Sequence, residues 1–135
     1  LVNLGKCCNP IPGDDLIGFV TRGRGVTVHQ SSCKSLPLLS NESDRLLPVH
    51  WNAKATENFN VYLKVTGLDY KGWLKDVSEC ISKENINIAS VDIKAKDSIA
   101  QANIIVQVKN NRQLNRLMGK ITKLKNIDYV ERIGR

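Results

Sequence analysis

No stretch of this sequence approaches the roughly 18 uninterrupted apolar residues of a membrane-spanning helix. The opening LVNLGK has neither the basic start nor the apolar run of a secretion signal. These two absences point away from the membrane-spanning and secreted classes and make the cytoplasm the expected compartment. The chain also lacks a phosphate-cradling glycine loop with its lysine, and a carboxylate cluster suited to nucleotide chemistry, so catalysis is not expected of these residues. It starts at Leu1 rather than methionine and enters a motif almost at once, the pattern of a piece of a longer polypeptide.

Cysteine is sparse but unevenly placed: Cys7, Cys8, Cys33 and Cys80. In a reducing compartment such residues are metal ligands or buried thiols rather than a disulfide framework. Cys80 shares helical spacing with Leu74, Val77 and Ile81 on one apolar face, the position of a packed core thiol. The other three cysteines group with His29, four residues before Cys33. Three thiolates and an imidazole suit tetrahedral zinc. Neighbouring side chains of an extended chain point to opposite faces. Cys7 and Cys8 therefore reach one metal only if the backbone turns sharply there, and the alternative is a set of thiols buried around a hairpin. The following Asn9-Pro10-Ile11-Pro12-Gly13 is locally rigid. A catalytic Cys–His pair is the weaker reading, since the sequence shows no third group to orient it.

The net charge of +7 is also uneven. Up to Trp51 the basic residues are nearly cancelled by Asp14, Asp15, Glu42 and Asp44, whereas Lys109, Arg112, Arg116, Lys120, Lys123 and Lys125 run without an intervening acid. Such a face is either solvated or offered to a polyanion.

NAKATEN, positions 52–58, is small and polar, and the hydrophobic pattern restarts after it. We divide the chain there into domains 1–52 and 57–135. In the first, LIGFVTR and GVTVH read as strands around Arg22-Gly23-Arg24-Gly25, a hairpin tip with two guanidinium groups. A short helix through SCKSLPLL and a strand over RLLPVHW follow, the strand with Val49 and Trp51 on one face. A core this small benefits from a staple.

In the second domain Phe59, Val61, Leu63 and Val65 alternate with polar residues as in a half-buried strand. A helix from about Gly72 to Lys83 follows, then strands over INIASVDIKAK and AQANIIVQVK. The first of these changes parity between Ile88 and Val91, as a bulge would. Leu114, Leu117, Met118, Ile121 and Leu124 recur at helical spacing, and IDYVERI closes as a strand. The fold class is α+β: a small hairpin-containing domain, then a ferredoxin-like βαββαβ domain with a four-stranded antiparallel sheet. The turn Gly67–Trp73 leads into a helix N-terminus, where free amides beside Gly72 suit a carboxylate and Asp69 suits an ammonium; the plainer reading makes Asp69 a helix cap.

KCCNPIPGDDLIGFVTRGRGVTVHQSSC, with RLLPVHW, resembles the zinc-finger-like or ribosome-intersubunit domain of long stringent-response enzymes of the RelA/SpoT family. VTGLDYKGWLKDVSECISKENINIASV and YVERI resemble the ACT domain that follows it there. The resemblance implies a parent GTP pyrophosphokinase, making or hydrolysing guanosine tetra- and pentaphosphate in catalytic domains upstream. This chain would be its regulatory, ribosome-docking part. Carried over by position, Cys7, Cys8, His29 and Cys33 form the metal-binding or ribosome-docking element, with zinc the implied metal, and the tip bearing Arg22 and Arg24 suits contact with ribosomal RNA phosphates. At the ACT loop Asp69, Gly72, Leu74, Asp76, Asn87 and Ile88 agree with relatives. Trp73 stands where leucine is common, filling space that a ligand would occupy. Asp69, Gly72, Trp73, Asn87 and Ile88 are thus the implied amino-acid site, for a branched-chain amino acid at a homodimer interface. Two alternatives share the layout: a stand-alone ACT-type sensor, and an RNA-binding module that stacks bases on aromatic residues of its central strands. QANIIVQVK has no aromatic residue, and the first strand offers only Tyr62 on its polar face.

Overall fold

The computed structural model describes residues 2–21, 23, 25–34, 46–51 and 57–134. The Arg22 and Arg24 contacts, the helix expected through SCKSLPLL beyond Lys34, and linker residues 52–56 lie outside the described residues.

The first sheet contains β1 (Val2–Leu4), β2 (Leu16–Thr21), β3 (Gly25–Gln30) and β4 (Leu46–Pro48), in the order β1-β3-β2-β4. β2 and β3 pair antiparallel from Leu16↔Gln30 to Thr21↔Gly25, as the alternation of LIGFVT and GVTVHQ predicts. β1 pairs parallel with β3, a strand that three residues of sequence do not announce. β4 is shorter than RLLPVHW suggests. Its ladder with β2 ends at Pro48, which has no amide hydrogen to donate, so Val49 and Trp51 lie beyond the strand. The Trp51 ring instead meets Phe59 edge-on, with centroids 5.3 Å apart.

The second sheet follows the expected order of elements: β5 (Phe59–Leu68), α1 (Trp73–Lys83), β6 (Asn87–Lys96), β7 (Ile99–Val108), α2 (Asn111–Thr122) and β8 (Ile127–Ile133). Its strand order is β6-β7-β5-β8, antiparallel throughout. The β6–β7 register shifts between Ile88 and Ser90, where the parity change lies. Val61, Leu63 and Val65 of β5 and Ala102, Ile104 and Val106 of β7 bury one sheet face against Trp73, Val77 and Ile81 of α1 and Leu114, Leu117 and Ile121 of α2. Cys80 packs half-buried against this core.

Two local readings change. Trp73, not Leu74, starts the apolar stripe of α1: Trp73 is buried at i, i+4 and i+8 with Val77 and Ile81, and Leu74, about 100° round the helix, is exposed. Asp69 does not cap α1, which is preceded by Gly72 in a left-handed conformation (φ 91°) with no side-chain cap. α2 is capped by Asn110, whose side chain accepts from the Gln113 amide at 2.9 Å.

The two sheets meet through Asn9–Asp14. Ile11 is fully buried, and it belongs to the core of the second sheet rather than the first. Around it the Asn9 side-chain amide donates to the Asn60 carbonyl at the start of β5. The Pro12 carbonyl accepts from the Asn111 amide at 2.8 Å, satisfying one of the free N–H groups that open α2. Truncation Ile11→Ala is therefore expected to cost about 2–5 kcal/mol in urea denaturation, as for a central core residue; a cost near zero would mean that this segment seals nothing.

Candidate metal centre

The neighbouring cysteines converge because the chain folds back between Gly5 and Asn9. The Gly5 amide donates to the Val28 carbonyl at 2.8 Å, extending β1 along β3. Four residues on, the Asn9 amide donates to the Gly5 carbonyl at 2.8 Å, and Asn9 sits in the left-handed region (φ 49°), which asparagine tolerates. On the far side His29 lies near the end of β3, and the Cys33 amide donates back to the Gln30 carbonyl at 2.9 Å, turning the chain so that Cys33 faces the histidine.

Cys7 Sγ then lies 3.2 Å from His29 Nδ1 and 3.3 Å from Cys33 Sγ, and Cys8 Sγ lies 3.7 Å from the same ring nitrogen. All four donor atoms fall within 4.8 Å of one another. Ligands of a tetrahedral zinc, at about 2.3 Å from the ion for sulfur, stand roughly 3.8 Å apart, so both donor types and spacing fit. None of Cys7, Cys8, Cys33 and Cys80 is in a disulfide. Gly5 is needed at its place, because a Cβ there would stand 2.7 Å from His29 Nδ1.

Burial shifts the protonation of two members of the cluster, Cys8 and His29. It pushes the Cys8 thiol up to about 12, helped by Cys33 and Cys7 and opposed by the Gln30 amide that bonds Cys8 Sγ. Burial also holds His29 below its ordinary value, leaving a neutral imidazole with a lone pair to give. A metal entering here displaces protons from thiols, so its binding competes with acid.

Gln30, one of the three residues between His29 and Cys33, donates its side-chain amide to the Cys8 carbonyl at 2.6 Å. A cleft of about 440 Å³ opens beside the cluster, lined by Cys7, Cys8, Cys33 and Lys34 from the loops of the first sheet and Glu131 and Arg132 from β8. No spacing rule links these residues, which lie up to 127 positions apart, counted from Cys7 to Gly134 of the same lining.

The residues of the expected amino-acid site do not come together within one chain. Asp69, whose amide donates to the Ser98 carbonyl at 2.8 Å, and Gly72 lie at one end of the second sheet. Asn87 and Ile88 begin β6 at the other end, where Asn87 pairs with Gln107. The ten residues of β6, roughly 30 Å from Asn87 to Lys96, separate the ends. Trp73 is buried in the core.

The pH dependence of the metal-free protein follows from these shifts. His29 has a folded pKa below 6.5, so its contribution is complete above that value and is lost as pH falls through the folded pKa. Cys8 has a folded pKa near 12 against 9.0, so its contribution is complete below pH 9 and declines as pH rises toward 12. Melting temperatures of chelator-treated protein are expected to form a plateau between these limits and to fall on both sides.

A family model described as the RelA/SpoT RIS domain matches residues 1–52, and one described as the ACT domain matches residues 55–132. The GTP pyrophosphokinase of Myxococcus xanthus is 38% identical over 134 residues, covering 98% of this chain and 17% of that protein. The GTP pyrophosphokinase of Escherichia coli K12 is 28% identical, covering 97% and 18%. The bifunctional (p)ppGpp synthase/hydrolase RelA of Mycobacterium tuberculosis is 31% identical, covering 98% and 18%. The chain thus spans less than a fifth of the length of these relatives. The crystal structure of the ACT domain from the GTP pyrophosphokinase of Chlorobium tepidum superposes with a TM-score of 0.52 at 33% identity, covering 56% of this chain and 99% of that one. With an RIS match followed by an ACT match, and relatives aligned over nearly its whole length, this chain belongs to the RelA/SpoT family.

Proposed function

We propose that this chain is the non-catalytic regulatory part of a cytoplasmic stringent-response (p)ppGpp synthetase/hydrolase. It docks on the ribosome through its RIS domain and passes a signal to catalytic domains upstream in the same protein. The boundary between its domains falls between residues 52 and 57. The observation that carries this reading is the four-donor cluster inside the RIS match. Among the described residues, the buried aliphatic, aromatic and cysteine side chains of the first sheet and its loops that stay in that unit are Cys8, Phe19, Val28 and Cys33. So little core needs a staple, and two of those four side chains are donors. Zinc held by Cys7, Cys8, His29 and Cys33 would take up the thiolate charge and tie the Gly5–Asn9 turn to the end of β3. Arg22 and Arg24 lie in sequence between strands whose pairing closes at Thr21↔Gly25, which supports a tip that presents guanidinium groups to phosphates.

Elemental analysis is expected to find one zinc per chain, retained by the wild type and lost from Cys8→Ser on dialysis against a chelator, with a lower melting temperature in that variant. Ribosome co-sedimentation is expected to fall steeply with salt and to be lost on replacing Arg22 and Arg24 together by glutamate. Undiminished binding by that variant would overturn the docking role.

A second reading, compatible with the first, is that the ACT domain senses a branched-chain amino acid between two copies of the chain. It is favoured by β6, an edge strand whose side chains are exposed from Ala89 to Lys96. An antiparallel pair of β6 strands centred on Ile93 sets Asp92 opposite Lys94 of the second copy, twice, and Val91 opposite Ala95. The same register brings Asn87 and Ile88 of one copy beside Ser98 and Asp69 of the other, completing the site that one chain leaves divided. Sedimentation is expected to give a dimer that Asp92→Lys dissociates and that a compensating Lys94→Asp restores. Valine, leucine or isoleucine is expected to bind the dimer in calorimetry; a monomer at every concentration would remove this reading.

A further inference from the structure

β8 breaks its own pattern at Arg132. Val130 and Arg132 stand opposite Val65 and Leu63 on the core-facing side of the sheet, so an arginine occupies a position where the alternation calls for an apolar residue. Its side chain is only 17% exposed. A charge so placed must find partners or destabilise the fold. Its partners all lie in the first unit, more than a hundred residues away in sequence.

Both terminal nitrogens bond the Asp14 carboxylate, at 3.1 and 2.9 Å, in a forked arrangement. Nη2 also donates to the Asn9 carbonyl at 2.7 Å, and Nη1 reaches Gln30 Oε1 at 3.4 Å. The other end of that Gln30 amide holds the Cys8 carbonyl. Asp14 in turn accepts from the Ile11 amide at 2.8 Å, fixing the segment inserted in the second core. Two residues past Arg132, Gly134 lies so close to the Cys7 carbonyl that a Cβ would overlap it. The turn that aims Cys7 and Cys8 at His29 is thus held along its backbone by the last strand of the ACT sheet.

We propose that Arg132 is a positioning residue for the metal centre. Through Asp14, the Asn9 carbonyl and Gln30 it fixes the Cys7–Asn9 turn, so that zinc affinity in the RIS domain depends on the docked ACT domain. Linkage makes the effect mutual: zinc tightens the docking by the same factor. The proposal rests on the zinc reading above. It gives the metal centre a role in communication between the domains, since loss of metal loosens the ACT domain and disturbance of β8 weakens the metal.

The test is the zinc affinity of the whole chain, measured by competition with a chromophoric chelator, in the wild type, Arg132→Met, Asp14→Asn and, as a control at an exposed site, Lys75→Met. Arg132→Met and Asp14→Asn are expected to bind zinc about tenfold more weakly, the loss typical of removing support behind a ligand, and Lys75→Met to match the wild type. Equal affinities in all four would overturn the linkage while leaving the zinc reading intact; a wild type that takes up no zinc would overturn the zinc reading itself. If circular dichroism shows Arg132→Met unfolded, Gln30→Ala decides, because it spares the Arg132–Asp14 pair. It is expected to weaken zinc at least about fivefold, within the usual range of coupling between sites, and an unchanged affinity would overturn the proposal. In hydrogen exchange, zinc is expected to slow the β8 amides of the wild type and not those of Arg132→Met.

Discussion

Two adjacent thiols can face one point only where the backbone folds back on itself, and the bond from the Asn9 amide to the Gly5 carbonyl is where this chain does so. The turn depends on Gly5, which lets the backbone lie against the His29 ring, and on Asn9, which accepts the left-handed conformation. From it the chain leaves in the one direction that carries Ile11 into the second core and the Pro12 carbonyl onto the start of α2. The donor cluster and the junction of the two sheets are therefore consequences of the same few residues.

The cost of this arrangement falls on the first sheet. Its most deeply buried apolar side chain from the cysteine-rich segment, Ile11, is given to the neighbouring core, so the remaining unit is poor in apolar burial. The second sheet is the reverse case, with strands and helices that bury a continuous apolar layer without help from a metal. A stable ACT platform supporting a weakly cored RIS unit is an asymmetric pair, in which a change at the cluster is felt at β8 because the docking contacts run through the turn itself.

What could be read from the sequence follows the range of the forces involved. The ferredoxin-like layout was legible because alternation in β5 and β7 and the spacing of Leu114, Leu117 and Ile121 are local signals of a one-sided core. The bulge in β6 was legible for the same reason, as a slip in parity at Ile88. Leu74 misled because helical spacing fixes a stripe only to within a residue, and the helix start at Trp73 decided it. The four donors could be named from residue type and the His29–Cys33 spacing, but their convergence could not, since it depends on one turn and one parallel pairing of β1 with β3. Arg132 stood in plain view as a charge at an inward position of IDYVERI, yet its meaning lies in partners from Asn9 to Gln30 that no periodicity connects.

In the reading proposed above, Cys7, Cys8, Cys33 and His29 act as one tetrahedral set. Cobalt(II) substitution reads this most directly, because the ion's visible absorption reports both coordination number and the count of thiolate ligands. One cobalt per chain is expected to give a tetrahedral spectrum with three sulfur ligands, and Cys7→Ser and Cys8→Ser are each expected to remove one of the three. A six-coordinate spectrum, or a tetrahedral one that either substitution leaves unchanged, would contradict it.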